Sequence, residues 1–98
     1  MIRHVVSWRL AATEPAARAV DAAAIVERLE ALVGVVPEIR TLQVGTDVVG
    51  EPNWDVVLIA DYEDLDALAR YQVHPAHEAA AAFIRSVTTE KATADVQS

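Results

Sequence analysis

Apolar and polar positions alternate from the start of the chain. Ile2, His4, Val6, Trp8 and Leu10 fall on one face, and Arg3, Val5, Ser7 and Arg9 on the other, as in a strand over residues 2–10. Residues 11–15 break the alternation, with Thr13 placed to cap a helix and Pro15 tolerated in its first turn. From there to Val33 the period is helical. Ile25, Leu29, Leu32 and Val36 form an apolar stripe, Glu27, Arg28 and Glu30 point away, and Gly34 stands where a C-terminal glycine belongs. A second extended run is expected over residues 38–49, with Leu42 and Val44 alternating against Thr41 and Gln43. After the turn cluster Gly50-Glu51-Pro52-Asn53 comes a third, over residues 54–62. There Trp54, Val56, Leu58, Ala60 and Tyr62 alternate with Asp55, Val57, Ile59 and Asp61. Two such runs about a turn predict a hairpin. Asp64 can cap a short helix over residues 65–71. Val73 and His74 should form a kink, because a residue preceding proline is pushed out of the α region. Pro75 then opens a helix to about Ser86, and residues 88–96 make a last, threonine-rich strand.

The order β-α-β-β-α-β, with its second helix broken, predicts a ferredoxin-like α+β fold. That fold is an antiparallel four-stranded sheet with helices on one face, here a single domain over residues 1–98. The other face needs covering. It would carry either Val5 and Ser7 or His4, Val6 and Trp8, depending on register, and the third strand is apolar on both sides. A chain of 98 residues also buries a limited share of its surface alone. Together these predict a homodimer, with a second sheet packed on the first.

Composition narrows the partners. The net charge of −7 excludes nucleic acid, whose phosphates call for clustered Lys and Arg. The chain has no cysteine, hence no disulfide and no thiol chemistry. No run approaches the roughly 18–20 apolar residues that span a bilayer. His4 and Arg9 interrupt the first apolar stretch, which therefore lacks the core of a signal peptide, and a cytoplasmic location is expected. Alanine and valine make up 34 of the 98 residues, so the core is either tightly packed or roomy.

Candidate chemistry centres on Tyr71-Gln72-Val73-His74-Pro75-Ala76-His77. Seven residues separate His77 from Ile84, almost two helical turns, so the two share a face with Ala80 and Ala81 between them. If Ile84 meets the sheet, so does His77, beside methyl-sized neighbours. The positive end of the helix favours the neutral imidazole, a competent general base, and Tyr71 across the kink can donate to a developing oxyanion. His4 lies on the Trp8 face of the first strand, where the sheet can bring it near. The plainer reading, which pattern alone favours, makes His77 a hydrogen-bonded core residue, Tyr71 a packing residue, and His4 a strand residue facing solvent or a dimer seam. His74 and His77 have i, i+3 spacing but no acidic or cysteine ligand at a supporting position, so no metal is assigned and His74 reads as a cap or kink residue. No glycine-rich phosphate loop or serine nucleophile elbow is present. The acidic stretch 61–66 reads as a loop and helix N-terminus.

The opening Met1-Ile2-Arg3-His4-Val5-Val6, the Gly34-x-x-Pro37-x-Ile39 turn and the Tyr-x-x-His-Pro-x-His segment together resemble the stress-responsive A/B-barrel (Dabb) family over residues 1–96. The resemblance implies a subunit that pairs sheet to sheet as a dimeric α+β barrel. That family is functionally mixed. One branch comprises cofactor-independent polyketide cyclases that close rings by aldol chemistry. The resemblance to that branch places a general base at His77, a carbonyl-holding phenol at Tyr71 and a supporting histidine at His4. It implies a small hydrophobic carbonyl ligand and a cyclase- or lyase-type reaction without cofactor. The alternative is a non-catalytic, stress-related or structural dimer. The wider superfamily also holds monooxygenases and haem-degrading enzymes; nothing in the sequence specifically favours those chemistries, although His77 or His74 is chemically able to ligate haem.

Overall fold

The computed structural model describes all residues, Met1–Ser98. Its elements run β1 (Ile2–Leu10), α1 (Pro15–Glu30), β2 (Thr41–Thr46), β3 (Val56–Tyr62), α2 (Leu65–Val73), α3 (Pro75–Val87) and β4 (Thr88–Gln97). The four strands form one antiparallel sheet in the order β2-β3-β1-β4, with the broken second helix as α2 and α3. The expected ferredoxin-like α+β fold is therefore the one observed.

Register sets what each face carries. His4 lies opposite Ala60 on β3 and Asp95 on β4; Val6 lies opposite Leu58 and Thr93. The helices cover the face bearing Ile2, His4, Val6, Trp8 and Leu10, all buried. Ile25, Leu29, Leu32 and Val36 meet that face as the predicted stripe, each at most 4% exposed. Fully burying one such aliphatic side chain contributes about 1.5–3 kcal/mol, which makes α1 a product of tertiary packing more than of its own propensity.

Local departures have local causes. Thr13 does not cap α1; Glu14 occupies that position without a side-chain hydrogen bond. The helix start is fixed instead by Pro15 and by Arg18, whose guanidinium donates to the Ala12 carbonyl and to Asp55. Gly34 is not the residue that ends α1. Ala31 is, and Gly34 takes its positive φ of 84° in the turns that carry Leu32 and Val36 back to the sheet. Strands two and three are shorter than expected. Trp54 lies before β3, with the Arg9 guanidinium 4.4 Å above its ring, and Asp55 accepts from the Leu10 amide.

The uncovered face carries Val5, Ser7, Ile59, Val57, Ala92 and Ala94, none of them fully buried. At one end stands Asp61. Of the two readings of Asp61, as the end of the third strand and as the start of the acidic loop, the strand is the one observed: Asp61 lies within β3 and is 7% exposed. It accepts from Arg3 at 3.0 and 3.1 Å and from the Thr41 hydroxyl at 2.6 Å. Alternation showed which face it takes, but not that a cross-strand arginine waits there. The Arg3 and Thr41 hydrogen bonds hold the Asp61 carboxyl below its usual 3.8. A depressed native value makes the stabilisation complete above pH 3.8 and lost as pH falls through the lower folded value. Asp61→Asn is expected to flatten the acid limb of a stability-versus-pH curve. At neutral pH it should cost about 1–2 kcal/mol, since Arg3 is half exposed. An unchanged acid limb in urea titrations from pH 2 to 6 would refute the role given to Asp61.

Candidate functional site

The site is assembled by the break between α2 and α3. Asp64 caps α2 through the Ala67 amide at 2.8 Å, and the helix buries Ala67, Leu68 and Tyr71 along one side. Pro75 keeps His74 extended (ψ 133°), which ends α2 and starts α3. The His74 Nδ1 accepts the Ala76 amide proton at 3.0 Å, the cap role expected of it. Three residues on, His77 turns inward with Ala80 and Ile84, both buried, as the spacing predicted.

Four aromatic rings then form a chain beneath the kink. His77 and Tyr71 have centroids 4.3 Å apart, Tyr71 and Tyr62 4.8 Å. His4 meets Tyr71 and Tyr62 edge-on at 6.4 and 6.2 Å. The structure thus brings His4, Tyr71 and His77 together, and His4 faces the helices rather than solvent or the open sheet face.

Each imidazole is anchored by one nitrogen. The His77 Nδ1 lies 3.0 Å from the Gln72 carbonyl, and the His4 Nδ1 lies 2.5 Å from the Asp95 carboxylate. Both partners accept, so Nδ1 donates in each ring, and in neutral His77 Nε2 keeps its lone pair. Burial, opposed by the Gln72 carbonyl, pulls the His77 pKa below 6.5. The direction matches the sequence expectation, but desolvation rather than the helix end is the main cause.

The phenols differ. Tyr62 and Tyr71 are fully buried, and each hydroxyl has only the other beside it, with no hydrogen bond of full geometry to any group. Burial raises both pKa values, so both stay protonated and can only donate to, or accept from, something new. An unsatisfied buried hydroxyl costs about 1–3 kcal/mol.

Tyr71, His77, His4 and Ala81 line a cavity of about 170 Å³, floored by Val6, Trp8 and Leu58. The alanine run leaves the room that the sequence suggested. Its mouth opens over β4, the edge strand whose helix-side residues Lys91, Thr93 and Asp95 no helix covers. Sequence reasoning missed Asp95 and Tyr62. Tyr62 was on the correct face by alternation; Asp95 depended on a β1–β4 register that no turn between the two strands dictates.

The fold and site define a ferredoxin-like α+β protein with a histidine- and tyrosine-lined pocket between sheet and helices. A family model for the stress-responsive A/B barrel domain matches residues 2–98, and the chain belongs to that family. It is 33% identical over 94 residues to an uncharacterized protein of Streptomyces coelicolor, SCO4036, covering 91% of this chain and 92% of the relative. A dimeric ferredoxin-like protein of unknown function from Bacteroides fragilis superposes with a TM-score of 0.90 at 25% identity, over 98% of this chain and 94% of that one. A dimeric ferredoxin-like protein of unknown function from Thermobifida fusca gives 0.82 at 26% identity, over 97% and 88%.

Proposed function

We propose that this protein binds a small hydrophobic carbonyl compound and removes a proton next to the carbonyl, in cofactor-independent, polyketide-cyclase-like chemistry. One observation supports it above others. A neutral, anchored imidazole and a buried phenol with no hydrogen bond of full geometry, 4.3 Å apart by ring centroids, border the same cavity. His77 Nε2 takes the α-proton, and the C–H electron pair moves onto the carbonyl oxygen as an enolate. The Tyr71 hydroxyl donates to that oxygen, in a site where low dielectric strengthens the bond. The enolate carbon then attacks a second carbonyl, and the imidazolium returns its proton to the new alkoxide. His4, held by Asp95, is the supporting imidazole.

The test does not need the natural substrate. In D₂O, the wild-type protein is expected to speed loss of the α-proton NMR signal of single-ring ketones well beyond an equal concentration of free imidazole. A rate no greater than the imidazole control would sink the proposal.

The cavity size favours a second reading. About 170 Å³ is below the roughly 300 Å³ at which ligand pockets usually begin, although about 150 Å³ suffices for benzene. A non-catalytic dimer fits such an interior equally well, and it predicts no exchange and no ligand-dependent thermal shift.

Under either reading the chain acts as a homodimer formed through its open sheet face, and in the cytoplasm. Val5 and Ile59 stand opposite each other at the middle of that face, and the two solved structures named above are dimers. Ile59→Lys would bury an unpaired ammonium there. It is expected to halve the mass measured by light scattering and to make the melting temperature independent of concentration. A wild-type monomer at micromolar concentration would refute the pairing.

A further inference from the structure

We infer that the ligand enters as a carboxylate, held at the cavity mouth by Arg85 and Lys91. This rests on the carbonyl-compound reading above and specifies its substrate class.

The chain has 8 Lys and Arg against 15 Asp and Glu, so each cation has nearly two acids to choose from. Five use one: Arg3, Arg9, Arg18, Arg40 and Arg70 each pair with a carboxylate. Arg28 lies 4.0 Å over the Phe83 ring. The two that remain, Arg85 and Lys91, make neither an ion pair nor a hydrogen bond. They come from different elements, the last turn of α3 and β4, yet both line this one cavity. Lys91 lies opposite Trp8, on the helix-facing side of β4, with Thr93 next along that side as a further donor.

The cavity lining contains no aspartate or glutamate, and Asp95, next after Thr93 on the same side of β4, is already committed to His4. In an acidic protein whose overall field repels anions, a small cavity with two uncommitted cations and no carboxylate selects locally for the charge that the rest of the surface rejects. Arg85 faces a second choice across a shallow surface groove, where Glu78 also lies, and does not pair with it.

Geometry gives the ligand a direction and a length. Eight residues separate His77 from Arg85 on one helix, an axial rise of about 12 Å. Helical side chains lean toward the N-terminus, and the longer Arg85 reaches further that way than His77 does, which shortens the gap. A carboxylate at the mouth then leaves a ring or a short chain to reach the Tyr71 hydroxyl and His77. That is the size of a single-ring or short-chain keto acid, consistent with the cavity volume.

The test is calorimetric titration of the whole protein with 2-hydroxybenzoate, an acid bearing an enol-like hydroxyl, and with its neutral isostere 2-hydroxybenzamide. The acid is expected to bind at least tenfold more tightly. Raising sodium chloride from about 0.05 to 0.5 M should weaken the acid and spare the amide, because a mouth-exposed pair is screened. Arg85→Gln with Lys91→Gln should cost the acid at least tenfold and change the amide less than twofold, while Arg85→Lys with Lys91→Arg keeps the preference. If both compounds bind equally to the wild type, or salt weakens neither, the carboxylate inference falls and the carbonyl reading stands. If neither binds at millimolar concentration, both fall. The salt series uses unmodified protein, so the inference stays open to refutation even if a variant fails to fold.

Discussion

Replacing His77 by alanine is expected to lower α-proton exchange by a factor of about 10²–10⁴, the usual contribution of a positioned general base, while the chain remains folded. His77 sits over alanines rather than in the tightly packed apolar centre, and its one hydrogen bond goes to the Gln72 carbonyl at 3.0 Å. Losing that bond should cost about 1 kcal/mol. A structural histidine would show the reverse: a large fall in melting temperature with exchange, if any, unchanged. The pH profile gives a second readout. Burial lowers the His77 pKa from 6.5, so the base stays neutral, and exchange persists, below the pH at which free imidazole becomes protonated. In stability the unfolded chain binds the proton more readily. The contribution of neutral His77 is therefore complete above pH 6.5 and is lost as pH falls through the lower folded value. His77→Ala should remove that dependence along with the activity.

Tyr71→Phe is expected to move stability and activity in opposite directions. The buried hydroxyl has only the Tyr62 hydroxyl beside it and no hydrogen bond of full geometry, so removing it should stabilise the protein by at most about 1 kcal/mol. If that hydroxyl holds the enolate oxygen, exchange should fall by about 10²–10³, as for other single oxyanion donors. Tyr62→Phe is the companion variant, since its hydroxyl stands beside that of Tyr71 while its ring lies behind Tyr71 rather than on the cavity. It should stabilise and leave exchange within about twofold. Denaturant melts and D₂O exchange on the three proteins decide the matter. A destabilised, fully active Tyr71→Phe protein would show that the phenol is a packing residue with a water partner. The pairing of unsatisfied stability with candidate function at one atom is the pattern expected of a site kept for a ligand.

The candidate site was legible in proportion to how local its geometry is. His77 and Ile84 lie on one helix, so their shared face follows from helical period alone, and His74 as a cap follows from the proline after it. His4 was grouped with the correct strand residues, but its approach to Tyr71 required α2 to lie on the sheet at a particular height. Asp95 was out of reach for the same kind of reason. It is 91 residues from His4, and only the pairing of first and last strands brings the carboxylate to the imidazole. Thr13 misled because a good capping residue two positions before a proline competes with that proline, and the fixed φ of Pro15 prevailed. Trp54 continued the alternation of β3 in sequence, yet the Arg9 guanidinium holds it in the loop instead.

By itself the sequence determined the element order, which residues share a face on β1 and β3, the apolar stripe of α1 and the face that His77 shares with Ile84. Each of these depends on a period of two or 3.6 residues, and so on neighbours in the chain. The tertiary structure alone decided the Arg3–Asp61–Thr41 network, the Asp95 anchor of His4, the juxtaposed buried phenols and the placing of Arg85 and Lys91 on one cavity. Those are contacts between separate elements, set by strand register and by how the helices lie on the sheet, and no periodicity along the chain encodes either.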